Sequence, residues 1–135
     1  MEDKYIWKEE YNTGVEFIDE QHKYFFNIIT SLEKSISGNE CRDDASKIFF
    51  SLVHYAEHFL IQEEIYLRES DFPGLKEHKE LHAGFIKRII RFQEDYENAV
   101  TDTCKSLLPF LDEWFNSHIL KYDREAVDYM KEKGL

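Results

Sequence analysis

Glycine, proline and long apolar runs are all scarce in this chain. Five Gly and two Pro among 135 residues leave few turn signals, and no strand-like alternation persists, so helix is expected to dominate. No run of eighteen apolar residues occurs, which removes a membrane-spanning helix from the expectation. Positive charge is short as well: 17 Lys and Arg stand against 28 Asp and Glu, a formal net charge of −11. That balance argues against nucleic acid and anionic membrane as partners, since both repel a negative surface. Its ordinary reading is a solvated face that keeps the protein soluble. The two cysteines, Cys41 and Cys104, match no metal or redox spacing, and a disulfide between them is allowed but not implied. Met1-Glu2-Asp3-Lys4-Tyr5 is acidic and mixed, unlike a secretory leader. Two unpaired thiols without a leader predict a cytoplasmic protein.

Apolar residues make up 42% of the chain and aromatics 16%, enough to build one core in a single domain spanning 1–135. Residues 1–17 read as a non-helical arm anchored by Tyr5, Trp7, Tyr11, Val15 and Phe17, with a turn at Asn12-Thr13-Gly14. Four helices are predicted, at about 19–36, 43–69, 75–98 and 102–131. The first carries Ile18, His22, Phe25, Phe26, Ile29, Leu32 and Ile36 on one stripe. The second, capped by Asp43 or Asp44, carries Ile48, Leu52, Tyr55, Phe59 and Gln62. Ser70-Asp71-Phe72-Pro73-Gly74 breaks it, and the third helix carries His78, His82, Phe85, Ile89 and Phe92. In the fourth, Pro109 marks a kink or the true helix start, ahead of Leu111, Trp114, Phe115 and His118. Four helices with short links predict an all-α, up-down-up-down antiparallel bundle.

Five of the six histidines fall on these inward stripes: His22, His58, His78, His82 and His118. Residues four apart lie about 40° apart on one helix face, so His78 and His82 point the same way, as do His58 and Gln62. His118 and Asp123, five apart, lie about 140° apart and converge less obviously. A lone histidine on an apolar stripe is usually a satisfied core or boundary residue. Five of them with an aspartate, on four stripes, would be costly to bury without partners. Imidazole and carboxylate together suit iron, zinc or copper, and helices of a bundle build such sites between them.

The chain resembles the bacterial hemerythrins. The resemblance covers nearly the whole chain. It rests on Trp7, Gly14-Val15-Glu16-Phe17-Ile18-Asp19-Glu20-Gln21-His22 and His58-Phe59-Leu60-Ile61-Gln62-Glu63. It continues through Phe72-Pro73-Gly74-Leu75-Lys76-Glu77-His78-Lys79-Glu80-Leu81-His82 and Trp114-Phe115-Asn116-Ser117-His118-Ile119-Leu120-Lys121-Tyr122-Asp123. The resemblance implies a non-haem di-iron protein, oxo- or hydroxo-bridged, that binds dioxygen. It assigns His78, His82 and His118 to one iron, His22 and His58 to the other, and Asp123 as a bridge. The family's second bridge is a glutamate four residues after the second-helix histidine, where this chain has Gln62.

A carboxamide offers one neutral oxygen ligand and cannot copy a bridging carboxylate. The expectation is therefore a core with one negative charge fewer, a raised reduction potential and a loosened iron at His22 and His58. Glu63 is expected to face solvent. The alternative is a one-residue bulge that brings Glu63 inward in place of Gln62. His54, one turn before His58, reads as a boundary residue, an outer donor or an extra ligand. Tyr66, where the family more often has Met, reads as packing at the bundle end or a phenol near iron. Phe25, Phe59, Trp114 and Ile119 are candidates for an apolar lining that keeps water out. Three functions remain open: oxygen carriage, storage or sensing; a di-iron oxidase or peroxidase; and a metal-binding sensor read by an unidentified protein partner.

Overall fold

The computed structural model describes residues 5–98 and 103–134. Among them there is no strand, and four helical rods account for most of the chain. The first rod is α1 (Glu16–Ser37). The second is α2 (Cys41–His54), continued by a π-helical turn (Tyr55–Phe59) into α3 (Leu60–Glu69). The third is α4 (Leu75–Glu97). The fourth is α5 (Thr103–Glu113), a π-helical stretch (Trp114–Asp123) and α6 (Arg124–Glu132). The expected start of the fourth helix at residue 102 lies outside the described residues. No helix of the described residues is long and apolar enough to cross a membrane.

The inward stripe of α1 is as its spacing predicts: Ile18, His22, Phe25, Phe26, Ile29 and Leu32 are all buried. The rods enclose two apolar clusters. The larger holds Phe25, Ile29, Leu52, Tyr55, Phe85, Leu111, Trp114 and Ile119 among others, and the smaller holds Ile18, Leu67, Ala126, Val127 and Met130. The buried histidines and carboxylates belong to neither cluster. Arm residues Trp7 and Tyr11 set their rings edge-on against Phe26 and Phe115, which ties the arm to the first and fourth rods. The arm then turns at Gly14, whose φ of 90° suits glycine alone. The Asp19 carboxylate accepts the N–H groups of Thr13 and Gly14 at 2.7 and 3.2 Å.

Two local expectations are corrected. The second rod begins at Cys41, and neither Asp43 nor Asp44 caps it; Asp44 instead accepts a hydrogen bond from Ser35 Oγ at 2.6 Å. Pro109 lies inside α5 as expected, which removes the alternative that it starts the helix. Cys41 and Cys104 are joined in a disulfide, with Cα atoms 6.3 Å apart. Their separation of 63 residues misled, because the chain runs up one rod and down the next and returns to the same end of the bundle. Cysteine usage thus gives no support to a reducing compartment.

Candidate metal centre

Two rods carry a π-helical segment, and each segment governs where a carboxylate points. In an uninterrupted α-helix each residue advances about 100°, which would set Gln62 toward the bundle axis and Glu63 away from it. The turn at Tyr55–Phe59 takes up one extra residue, and the face downstream rotates accordingly. Leu60, Glu63 and Leu67 become the buried residues of α3, while Gln62 lies exposed and accepts a hydrogen bond from Gln21 Nε2 at 3.0 Å. The expectation that Glu63 faces solvent is corrected: Glu63 is only 4% exposed. The charge deficit expected from Gln62 loses its basis, since a carboxylate fills the inward position after all.

The same turn carries His58 out of the site. His58 is exposed, and its ring packs against that of His54 at 4.5 Å. His54 is a half-buried boundary residue flanked by Tyr24 and Phe59. His58 and Glu63 are five residues apart, as are His118 and Asp123, yet only the second pair converges. Trp114–Asp123 is π-helical throughout, and i→i+5 bonding lays such a pair over one face. Between His58 and Glu63 the helix is already α from Leu60 onward, so the two side chains part.

Five buried groups come together: Glu63, His78, His82, His118 and Asp123, with ligand atoms all within 4.8 Å of one another. Glu63 Oε1 lies 2.5 Å from His78 Nε2 and 3.2 Å from His82 Nε2. Asp123 Oδ1 lies 2.8 Å from His78 Nε2 and 3.0 Å from His118 Nε2, and His82 Nε2 meets His118 Nε2 at 3.1 Å. Groups held about 2.1 Å from one ion sit about 3 Å apart when adjacent and about 4.2 Å apart when opposite, so this shell has the size of a coordination sphere. Asp123 Oδ1, though close to two imidazoles, makes no hydrogen bond. A buried carboxylate oxygen left without a hydrogen bond among imidazoles is what a metal ligand looks like before its ion is bound. The residues present therefore fit a metal. His22 stands to one side, with Nε2 at 3.0 Å from Asp123 Oδ2.

The electrostatics follow from these contacts. Burial alone would lower the pKa of His78, but the close carboxylates of Asp123 and Glu63 outweigh it and raise the group from 6.5 to about 10. His22 and His82 are raised against the same burial penalty by Asp123 and by the Glu63–Glu64 pair respectively. Burial opposes the charged form of Asp123, and the surrounding histidines, His118 foremost, hold it well below its usual range.

The surrounding shell is ordered too. Glu64 Oε2 lies 2.8 Å from His82 Nδ1, so the two adjacent glutamates serve the two sides of the histidine cluster. The Trp114 indole stacks on the His118 ring at 3.9 Å and 9°, and its Nε1–H donates to Tyr55 Oη at 3.1 Å. Of the expected lining, Phe25, Trp114 and Ile119 are buried and Phe59 half-buried. Tyr66 packs edge-on against Phe17 at the bundle end. Tyr55 is buried as its stripe predicted, whereas Glu64 carried no sequence signal, because its role depends on the π-turn before it.

A helical bundle whose core holds converging imidazoles and carboxylates is a metal-binding protein by construction. Residues 13–129 match the model of the hemerythrin HHE cation-binding domain, and the chain belongs to that family. It is 31% identical to a bacteriohemerythrin of Clostridium acetobutylicum over 92% of this chain and 99% of that one. It is 27% identical to a bacteriohemerythrin of Stenotrophomonas maltophilia, covering 93% and 81%, and 26% identical to a myohemerythrin of Sipunculus nudus, covering 90% and 89%. The chain is thus a hemerythrin-type protein with a non-haem di-iron centre of the oxygen-binding kind.

Proposed function

We propose that the protein binds dioxygen reversibly, for carriage, storage or sensing, at a di-iron centre whose carboxylates are Glu63 and Asp123. His78, His82 and His118 hold one iron with both carboxylates; His22 holds the other. When bound, the irons supply the electrons and open coordination by which dioxygen is held. The protein's part is enclosure and charge. Phe25, Trp114 and Ile119 shut water away from the centre, which slows loss of electrons to solvent-borne oxidants. Glu63 and Asp123 offset the positive charge of the metals inside a low-dielectric core.

One observation favours binding over turnover. Among the described residues, every carboxylate at the centre is engaged with histidine: Glu63 with His78 and His82, Asp123 with three imidazoles, and Glu64 with His82. These carboxylates are committed to the histidines that would hold metal, which leaves them poorly placed to relay protons to a substrate. The test is anaerobic loading with iron(II), followed by visible spectroscopy as oxygen is admitted and withdrawn. A band that rises with oxygen and falls on its removal supports reversible binding. Rapid, irreversible oxidation with consumption of a reducing cosubstrate supports an oxidase instead.

A further inference from the structure

The two halves of the centre are not equally furnished. One side gathers three imidazoles and two carboxylates into a closed shell. The other has His22, facing Asp123 Oδ2 at 3.0 Å, and shares whatever Glu63 and Asp123 offer beyond the first ion. The histidine that the second rod would give it, His58, is turned to the surface against His54. Gln62, the neighbouring candidate, is exposed and tied to Gln21.

His22 is also poorly supported. Its Nδ1 is buried without a hydrogen-bond partner, as is that of His118 in the other position, whereas His82 has Glu64 on its Nδ1. A carboxylate behind a ligating imidazole fixes its tautomer and strengthens it as a base, and loss of such a partner costs about 10–100-fold in metal affinity. The second position thus has fewer ligands, and its single histidine has no supported neighbour to offset the missing partner, as His118 has in His82.

We propose that the two metal positions are unequal by construction: the Glu63, His78, His82, His118 and Asp123 position keeps its ion, while the His22 position exchanges its ion with solution. This rests on the di-iron reading and sharpens it. A bundle built this way passes through a stable one-metal form whenever free iron falls. The gap between the two dissociation constants is expected to be at least about tenfold, given that loss of even an outer partner costs about 10–100-fold.

The experiment uses the full chain under anaerobic conditions, titrated with 57Fe(II) and then challenged with a chelator. Metal is counted per chain, and Mössbauer spectra follow the two sites. The expected result is one spectral species up to one equivalent and a second beyond it, the second alone being stripped by chelator. His22→Ala should retain one tightly held iron and a native circular-dichroism melt. His58→Ala should titrate like the parent. Two ions bound and released together would overturn the inference while leaving the di-iron reading intact. Loss of the second ion in His58→Ala, or of both ions in a folded His22→Ala, would overturn it equally. No iron bound by the parent chain would sink both proposals.

Discussion

Glu63 reaches His78 Nε2 at 2.5 Å from the helix position beside Gln62, and the contact exists only because the preceding turn is π-helical. This separates two neighbouring residues by function. Glu63→Gln is expected to weaken iron retention at least about a hundredfold, since Glu63 touches two of the three histidines of the tight position. Gln62→Glu is expected to leave metal content and oxygen affinity unchanged, because residue 62 meets only Gln21. Metal analysis after chelator challenge of both variants checks the pair. A large effect of Gln62→Glu with none from Glu63→Gln would mean that the helix runs in the other register.

Glu64 acts on the metal through His82. Its carboxyl is held below its usual range, the hydrogen bond and charge of His82 outweighing a burial penalty. Glu64→Ala is expected to lower iron affinity by about 10–100-fold, and Glu64→Gln by less, because the amide oxygen still accepts from Nδ1–H. A purely packing role would shift the melting temperature without this ranking. The readout is therefore the order parent, Gln, Ala in a competitive iron titration.

Much of this was legible in the chain, and the exceptions share one cause. The inward stripe of α1, from Ile18 to Leu32, and the His78–His82 pair follow α-helical spacing and are found where that spacing puts them. Spacing failed wherever the backbone left that period. Asp123 seemed badly placed for His118 and is well placed, because Trp114–Asp123 is π-helical. His58 and Gln62 seemed well placed and are not, because Tyr55–Phe59 shifts the face beneath them. A period of 3.6 residues cannot reveal a local stretch of i→i+5 bonding, and no residue type in Tyr55-Ala56-Glu57-His58-Phe59 announces one.

The metal-free protein should lose stability as pH rises. A histidine whose pKa is raised on folding stabilises fully below its ordinary value and stops doing so above its folded value. For His78 that window runs from 6.5 to about 10, and His22 and His82 shift in the same direction. Asp123, shifted down, contributes fully above 3.8 and loses that contribution progressively as the pH falls from there toward its lowered folded value. Thermal melts of the metal-free chain should therefore be highest in mildly acidic buffer and fall toward pH 10. Iron affinity should run the other way, since metal must displace those protons. Proton release on iron binding, measured by calorimetry in buffers of different ionisation enthalpy, checks the sign.

Tyr55 and Trp114 form a prop behind His118. Tyr55→Phe leaves the Trp114 indole N–H buried without an acceptor, which costs about 1–3 kcal/mol. The stack of Trp114 on His118 should loosen with it. The expected result is a lower melting temperature in both metal-free and iron-loaded protein, with one histidine's ring resonances broadened in the metal-free form. An unchanged melt would mean that the indole finds another acceptor.

The Cys41–Cys104 disulfide closes a loop through the second and third rods, its ends separated by 63 positions in the sequence. Chain-entropy estimates for a loop of that length give about 4 kcal/mol of stabilisation, exerted mainly on the unfolded chain. Reduction is thus expected to lower the melting temperature by roughly 10 °C or more. It should leave the metal centre formed, because neither cysteine lies among the metal-centre residues. Cys41→Ser with Cys104→Ser should behave like the reduced parent and be indifferent to reductant. Melts with and without reductant, paired with iron counts, separate the two effects. A reduced protein that melts unchanged would show that the helical rods hold that end of the bundle without the covalent link.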